Sequence, residues 1–154
     1  MNFEARRIAD QLRRAFAGDP WHGDPLRDLL AGVTVEQACA RPIESAHTIW
    51  ELVLHVDLYA HIALQATQGV PMPRLSLSGK DWLTVENDRE PAWIAATAHL
   101  FETAELLARA IEGFADERLL DSAPGRDYDF YYLFHGIVQH SLYHGGQIAL
   151  LKKA

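Results

Sequence analysis

The chain has 154 residues, of which 49% are apolar and 23% charged, and its formal charge is −7 with neutral histidines. This length allows one sizeable core, so we expect residues 1–154 to form a single domain. The acidic balance argues against a nucleic-acid partner, because proteins that bind phosphate backbones usually carry a basic face. The single cysteine, Cys39, and the lack of a signal-type or membrane-spanning apolar run predict a cytoplasmic protein with no membrane contact.

Apolar residues at helical spacing predict a first helix over residues 3–17. Residues 24–39 predict a short helical stretch and a turn, and residues 46–67 predict a long helix with Ser45 as its N-cap. The following segment, 68–87, contains two prolines and two glycines and is predicted to be a long connection. Connections of this length are often lids or pocket walls, and we expect Trp82 to be the apolar contact of a substrate there.

A third long helix is predicted over residues 91–111, because Pro91 suits the first turn of a helix. The last helix is predicted over residues 128–152, with Asp127 as its cap. No series of strands is indicated. Four long helices, with a long connection between the second and third, predict an all-α protein of the four-helix-bundle class.

Three histidines fall on the apolar faces of these predicted helices. At about 100° per residue, His140 and His144 lie on the apolar stripe of the last helix, and His55 lies on that of the second. Imidazoles at positions i and i+4 project side by side and can share one metal ion. Because each unpaired buried ring costs a few kcal/mol and one metal pairs all three, we predict a divalent-metal site.

The other histidines lack this arrangement. His61 and His135 fall on the opposite faces of their helices, where we expect His135 to be exposed to solvent. His47 lies at the margin of the apolar stripe and is a weaker candidate ligand. For His22 and His99 the sequence indicates no partner.

The segments 49–55 (IWELVLH) and 140–148 (HSLYHGGQI) together resemble the DinB/YfiT-like superfamily of metalloenzymes. In that family a histidine of the second helix and an HxxxH pair of the last helix hold the metal, which implies the same ligands, His55, His140 and His144. The resemblance also implies a homodimer. It further implies an S-transferase that joins a small-molecule substrate to a low-molecular-weight thiol such as bacillithiol, mycothiol or glutathione.

The residues themselves leave several functions open. Three neutral imidazoles leave a coordination position free, which is typical of a catalytic site, and they accept zinc, nickel or iron. Besides thiol transfer, such a site supports hydrolysis by metal-bound water. A non-catalytic metal-binding protein of the stress response and a purely structural bundle are the alternatives of other classes.

Two further residues are predicted to take part in catalysis. Glu51 lies one turn before His55 and can act as a base, as a fourth ligand or as the partner of a histidine. Gln147 follows His144 by three positions and can orient a water molecule or the substrate.

Overall fold

The computed structural model describes residues 3–154, and this part of the chain is all-helical, as predicted. Its six α-helices are α1 (Phe3–Ala17), α2 (Leu26–Leu30), α3 (Val35–Cys39), α4 (Ile49–Thr67), α5 (Glu90–Glu112) and α6 (Phe130–Leu151). Short 3₁₀ helices, Leu75–Ser78 and Asp116–Arg118, lie in the connections. No β-strand occurs within residues 3–154. The only β-bridge in this part of the chain is an isolated antiparallel one between Ser122 and Asp129.

The four long helices bury their apolar faces against each other. Helix α1 packs against α5 and α6, and α4 packs against the same two helices. The largest fully buried apolar side chains of this core come from all four: Ile8, Leu12, Ile49, Leu52, Val53, Val56, Leu100, Leu107, Ile111, Phe134 and Ile148. Each such side chain contributes about 1.5–3 kcal/mol by leaving water. No helix within residues 3–154 combines the length and apolar character that crossing a bilayer requires.

Helix α4 begins three residues later than predicted. Thr48, not Ser45, is its N-cap: the Thr48 hydroxyl accepts the N–H of Glu51, and the Glu51 carboxylate accepts the N–H of Thr48 at 2.8 Å. This reciprocal pair satisfies two backbone donors at once. Ser45 has no acidic or amide side chain three residues later, so it offers only half of that arrangement.

Helix α6 also begins later than predicted, at Phe130. The side chain of Asp129, not Asp127, accepts the N–H of Tyr132 at 2.8 Å and so caps the helix. The N–H of Phe130 is bonded to the carbonyl of Asp121, outside the helix. These bonds hold the preceding residues in the loop.

The connection between α4 and α5, residues 68–89, is held against the loop that precedes α6. The N–H of Met72 donates to the carbonyl of Pro124 at 2.9 Å, and the guanidinium of Arg126 donates to the carbonyl of Pro73 at 2.6 Å. The connection is thereby fixed beside the faces of α4 and α6 that carry the predicted site.

Candidate metal centre

The three predicted ligands lie together between α4 and α6. The Nε2 atom of His140 is 3.0 Å from that of His55 and 3.2 Å from that of His144. His55 and His144 are buried and His140 is half-buried. Side chains four residues apart on α6 therefore meet a single side chain from the facing helix, as the helical positions predicted.

The outer nitrogen atoms of two of these rings are already hydrogen-bonded. His55 Nδ1 lies 2.8 Å from the main-chain carbonyl of Asp81, which can only accept, so Nδ1 carries the hydrogen. His144 Nδ1 donates in the same way to Gln147 Oε1 at 2.6 Å. In the neutral rings both Nε2 atoms therefore present a bare lone pair to the centre of the cluster. Outer hydrogen bonds of this kind fix the tautomer and orientation of metal-binding histidines.

The surroundings also keep the rings uncharged. Burial lowers the pKa of His55 and His144, and it lowers the pKa of His140 to about 3, with further lowering from the neighbouring His144 and His55. The charge of Asp81 opposes the lowering of the pKa of His55 and His140, and the hydrogen bond to Gln147 opposes it for His144, without reversing it. All three imidazoles are then neutral near pH 7, which is the form that binds metal.

The donor set fits a divalent transition metal. With bare Nε2 atoms on His55 and His144, the single proton of a neutral His140 can satisfy at most one of them. At least one buried lone pair then faces another without a hydrogen between them, which costs free energy. Nitrogen atoms that share one ion at about 2.0–2.1 Å lie about 3.0–3.4 Å apart. Both separations measured from His140 fall in that range, and all three ligand atoms lie within 4.8 Å of one another, so a shared ion requires a small inward shift of His55 and His144.

Trp82 covers one side of the cluster. Its ring is parallel to that of His55, with centroids 3.9 Å apart, and to that of His47, with centroids 3.4 Å apart. Imidazoles this close to one indole occupy its opposite faces, because on the same face their atoms would overlap. Trp82 is thus sandwiched between two histidines.

A cavity of about 410 Å³ reaches His140 from another side. Its walls come from α4, from residues 72–77 of the connection, from residues 126–128 and from α6. The prediction that the connection forms a pocket wall is therefore confirmed. Trp82 does not line this cavity; it lines a second one, formed by residues of the segment 79–87 of the connection with α4 and α5, and its expected contact with a substrate stays a prediction.

Asp81 joins two residues of the site that the sequence did not connect. Its carbonyl accepts from His55, and its carboxylate accepts from the hydroxyl of Tyr59 at 3.1 Å. The ring of Tyr59 lies 4.9 Å from that of His55 and 4.8 Å from that of His140, at the edge of the cavity. Burial, together with the charge of Asp81, raises the pKa of Tyr59, so the phenol stays protonated.

The sequence matches a known protein family: the family model described as the DinB superfamily matches residues 21–148. The chain belongs to the DinB superfamily. The match includes all three clustered histidines and leaves out α1, and it confirms the resemblance seen in segments 49–55 and 140–148. No curated protein and no solved structure matches the chain significantly.

The two predicted catalytic residues of this DinB-superfamily chain have different surroundings. The carboxylate of Glu51 accepts a hydrogen bond from the N–H of Thr48 at 2.8 Å. It also accepts from the guanidinium of Arg41, at 2.8 Å to one oxygen and 3.0 Å to the other, and it lies 3.3 Å from His47 Nδ1. Its oxygens are thus engaged at the start of α4. Gln147 directly contacts His144, as described above.

Two of the remaining histidines differ from expectation. His135 is half-buried instead of exposed, because its face of α6 turns toward α1, and its Nε2 atom is buried with no hydrogen-bond partner in residues 3–154. His99 has a partner after all: its Nδ1 lies 2.7 Å from Asp57 Oδ2 on the neighbouring helix. Nothing in the local sequence around His99 points to a residue so distant in the chain.

Proposed function

We propose that this DinB-superfamily protein is a metal-dependent S-transferase, built on a four-helix bundle, that joins a low-molecular-weight thiol to a small electrophile. The main support is the convergence of three neutral imidazole nitrogens, one of them on His140, which lines a cavity of about 410 Å³. A closed structural site has no use for an adjoining cavity, whereas a site that processes a small molecule needs one.

A zinc, nickel or iron ion held by His55, His140 and His144 would supply a Lewis acid that favours the thiolate form of the thiol. Asp81 and Gln147 hold two of the imidazoles in the tautomer that this requires. Trp82 stacks on one face of the His55 ring and shields that face from water, so reactants reach the cluster through the cavity.

In the proposed reaction, the thiol sulfur forms a bond to an electrophilic carbon of the substrate. The bond from that carbon to the leaving group breaks, the electron pair departs with the leaving group, and the leaving group takes up the thiol proton. Tyr59 lies at the cavity edge, where its hydroxyl oxygen can accept a hydrogen bond while its single O–H donates to Asp81. Glu51 has a supporting role, because it holds the start of α4 and the ring of His47 that stacks on Trp82.

Metal content and thiol transfer test this proposal together. We expect wild type to hold about one ion per chain, and His55→Ala, His140→Ala and His144→Ala to lose both the ion and the transfer of glutathione, bacillithiol or mycothiol to chlorodinitrobenzene. His99→Ala is the matched control, since His99 is also paired across helices but lies outside the cluster. Wild type that binds no added metal overturns the proposal. Turnover of an ester without thiol favours a hydrolase, and metal binding with no turnover favours a metal-binding protein.

A pair of glycines on α6 tests the role of the cavity. Gly136 lies in the cavity wall, whereas Gly146 is exposed, and a Cβ atom at either position meets no other atom within 4 Å. Leucine favours the helix over glycine at both positions, so neither variant is expected to impair folding. We expect Gly136→Leu to lower kcat/KM by at least about tenfold while the metal stays bound. Gly146→Leu should leave kcat/KM unchanged. Equal kinetics in the two variants would show that the substrate does not use the cavity.

A further inference from the structure

Two arginines line the cavity of this acidic protein, Arg74 from the connection and Arg126 from the loop before α6. One carboxylate, that of Asp127, shares the wall with them. None of the ion pairs within residues 3–154 involves Arg74 or Arg126. Their positive charges are therefore not neutralised by direct contact with an acidic side chain.

Arg126 is held in place by uncharged acceptors only. Its guanidinium donates to the carbonyls of Pro73 at 2.6 Å and Gly125 at 3.3 Å, and to the hydroxyl of Tyr128 at 3.2 Å. A guanidinium has five N–H donors, so two remain for a ligand. The bond to Pro73 also places Arg126 beside the residue that precedes Arg74, which brings the two arginines to the same part of the wall.

Along α6 the cavity wall passes from His140 through Ile137 and Leu133 toward the loop that carries Arg126. Ile62 and Met72 add further apolar surface to the wall. The cavity thus offers a cationic end, an apolar middle and an end at the histidine cluster. A complementary ligand carries an anionic group at one end and its reactive group at the other.

We propose that the reactant bound in this cavity is a carboxylate-bearing small molecule, with its carboxylate held by Arg74 and Arg126 and its reactive end at His140. The inference rests on the proposed function, because it specifies which reactants that site accepts. Arginine matches the planar carboxylate with two parallel hydrogen bonds, which a neutral isostere cannot reproduce.

A pair of thiols that differ at one end tests this proposal in the metal-free protein. Binding of 6-mercaptohexanoate and of 6-mercapto-1-hexanol is followed by ¹H–¹⁵N NMR at the amides of Gly136 and Ile137. We expect the carboxylate to bind at least about tenfold more tightly. The double variant Arg74→Gln/Arg126→Gln should bring the ratio of affinities close to one. Arg6→Gln, an exposed arginine on α1 away from the cavity, should leave the ratio unchanged.

The single variants separate charge from structure. Arg126→Gln loses the bond to Pro73 and can loosen the connection, whereas Arg74 donates no hydrogen bond within residues 3–154, so Arg74→Gln changes the charge alone. We expect Arg74→Gln to lower the carboxylate preference severalfold without changing the melting temperature. Equal affinities of the two thiols for wild type, or a preference that survives in the double variant, overturn the proposal.

Cobalt-loaded protein separates this inference from the proposed function. A thiolate-to-cobalt absorption band that appears equally well with both thiols supports the metal-dependent function and overturns the carboxylate preference. Failure of cobalt to bind, together with a carboxylate preference that persists in the metal-free protein, supports the preference and overturns the metal-dependent function.

Discussion

Helix α4 contributes to one cluster of three histidines and to one histidine–aspartate pair, and the rings in the two places have different partners. On one side His55 meets His140 and His144 of α6 in the interior. On another, Asp57 meets His99 of α5, whose side chain remains 60% exposed. His99 has a carboxylate and water as partners. The three clustered rings have acceptors for the outer nitrogens of His55 and His144, but their inner nitrogens face only each other.

This difference shows what separates a structural histidine from a candidate ligand. Burial alone does not, because a buried imidazole with both nitrogens hydrogen-bonded is stable. The ring of His99 has an acceptor in Asp57 and is otherwise open to solvent, and the atom of this pair without a partner in residues 3–154 is Asp57 Oδ1. The cluster of His55, His140 and His144 has converging lone pairs that no atom of residues 3–154 satisfies in full, and these nitrogens could hold a metal ion.

The largest expected effect is the stabilisation of the protein by zinc. At a free zinc concentration of about 1,000 times the Kd, binding to the folded state alone raises the free energy of unfolding by about 4 kcal/mol. We expect this increment in wild type and in His99→Ala, and its loss in His140→Ala, as measured by urea unfolding with and without zinc. An equal increment in His140→Ala would place the zinc elsewhere.

The next effect concerns the outer hydrogen bond of His144. Gln147→Leu removes the acceptor at Nδ1, and we expect zinc affinity to fall by about 10- to 100-fold, because the ring loses its fixed orientation. Gln147→Glu keeps an acceptor and should restore most of the affinity. Gln139→Leu, an exposed glutamine on the same helix, is the control and should bind as wild type does. Competition with a chromophoric chelator measures all three, and wild-type affinity in Gln147→Leu contradicts the assigned role.

A smaller effect is expected in the absence of metal. His140→Leu removes the one proton that can satisfy an inner lone pair of His55 or His144, so we expect the metal-free protein to lose about 1 kcal/mol in the free energy of unfolding. His99→Leu should cost less, because it removes a largely exposed ring. Urea denaturation in the presence of a chelator checks both variants. Unchanged stability of His140→Leu would mean that His140 donates to neither ring.

The smallest effect belongs to the Asp57–His99 pair. With His99 largely exposed, Asp57→Asn and His99→Ala should each change the free energy of unfolding by less than about 1 kcal/mol. At a pH where His99 is protonated, the double-mutant coupling should shrink further in about 0.5 M salt, because salt screens the attraction between the two charges. A coupling that salt does not change would contradict this description of the pair.

Much of the fold could be predicted because it depends on local patterns. Apolar spacing identifies the long helices, and the wheel positions of His55, His140 and His144 already place them on inward faces. Two helix starts were misplaced because the choice between nearby caps, such as Ser45 and Thr48, depends on a reciprocal hydrogen bond with Glu51.

The contacts that surround the cluster could not be predicted, because they join distant segments. Asp81 and His55 lie 26 positions apart, and Asp57 and His99 lie 42 apart, with no local signal to pair them. Trp82 was correctly singled out as an aromatic near the site. Its stacking between two imidazoles, however, depends on the path of the whole connection.

The acceptor for His55 is a main-chain carbonyl, and this has a consequence for sequence change. No side-chain replacement at Asp81 can delete that oxygen, although replacement does remove the bond to Tyr59. An insertion or deletion of one residue between Ser78 and Asp81 would instead bring a different carbonyl, or none, to the imidazole. The segment 78–81 can therefore vary in composition more freely than in length. The number of residues in this segment, more than their identity, determines which nitrogen of His55 carries the hydrogen.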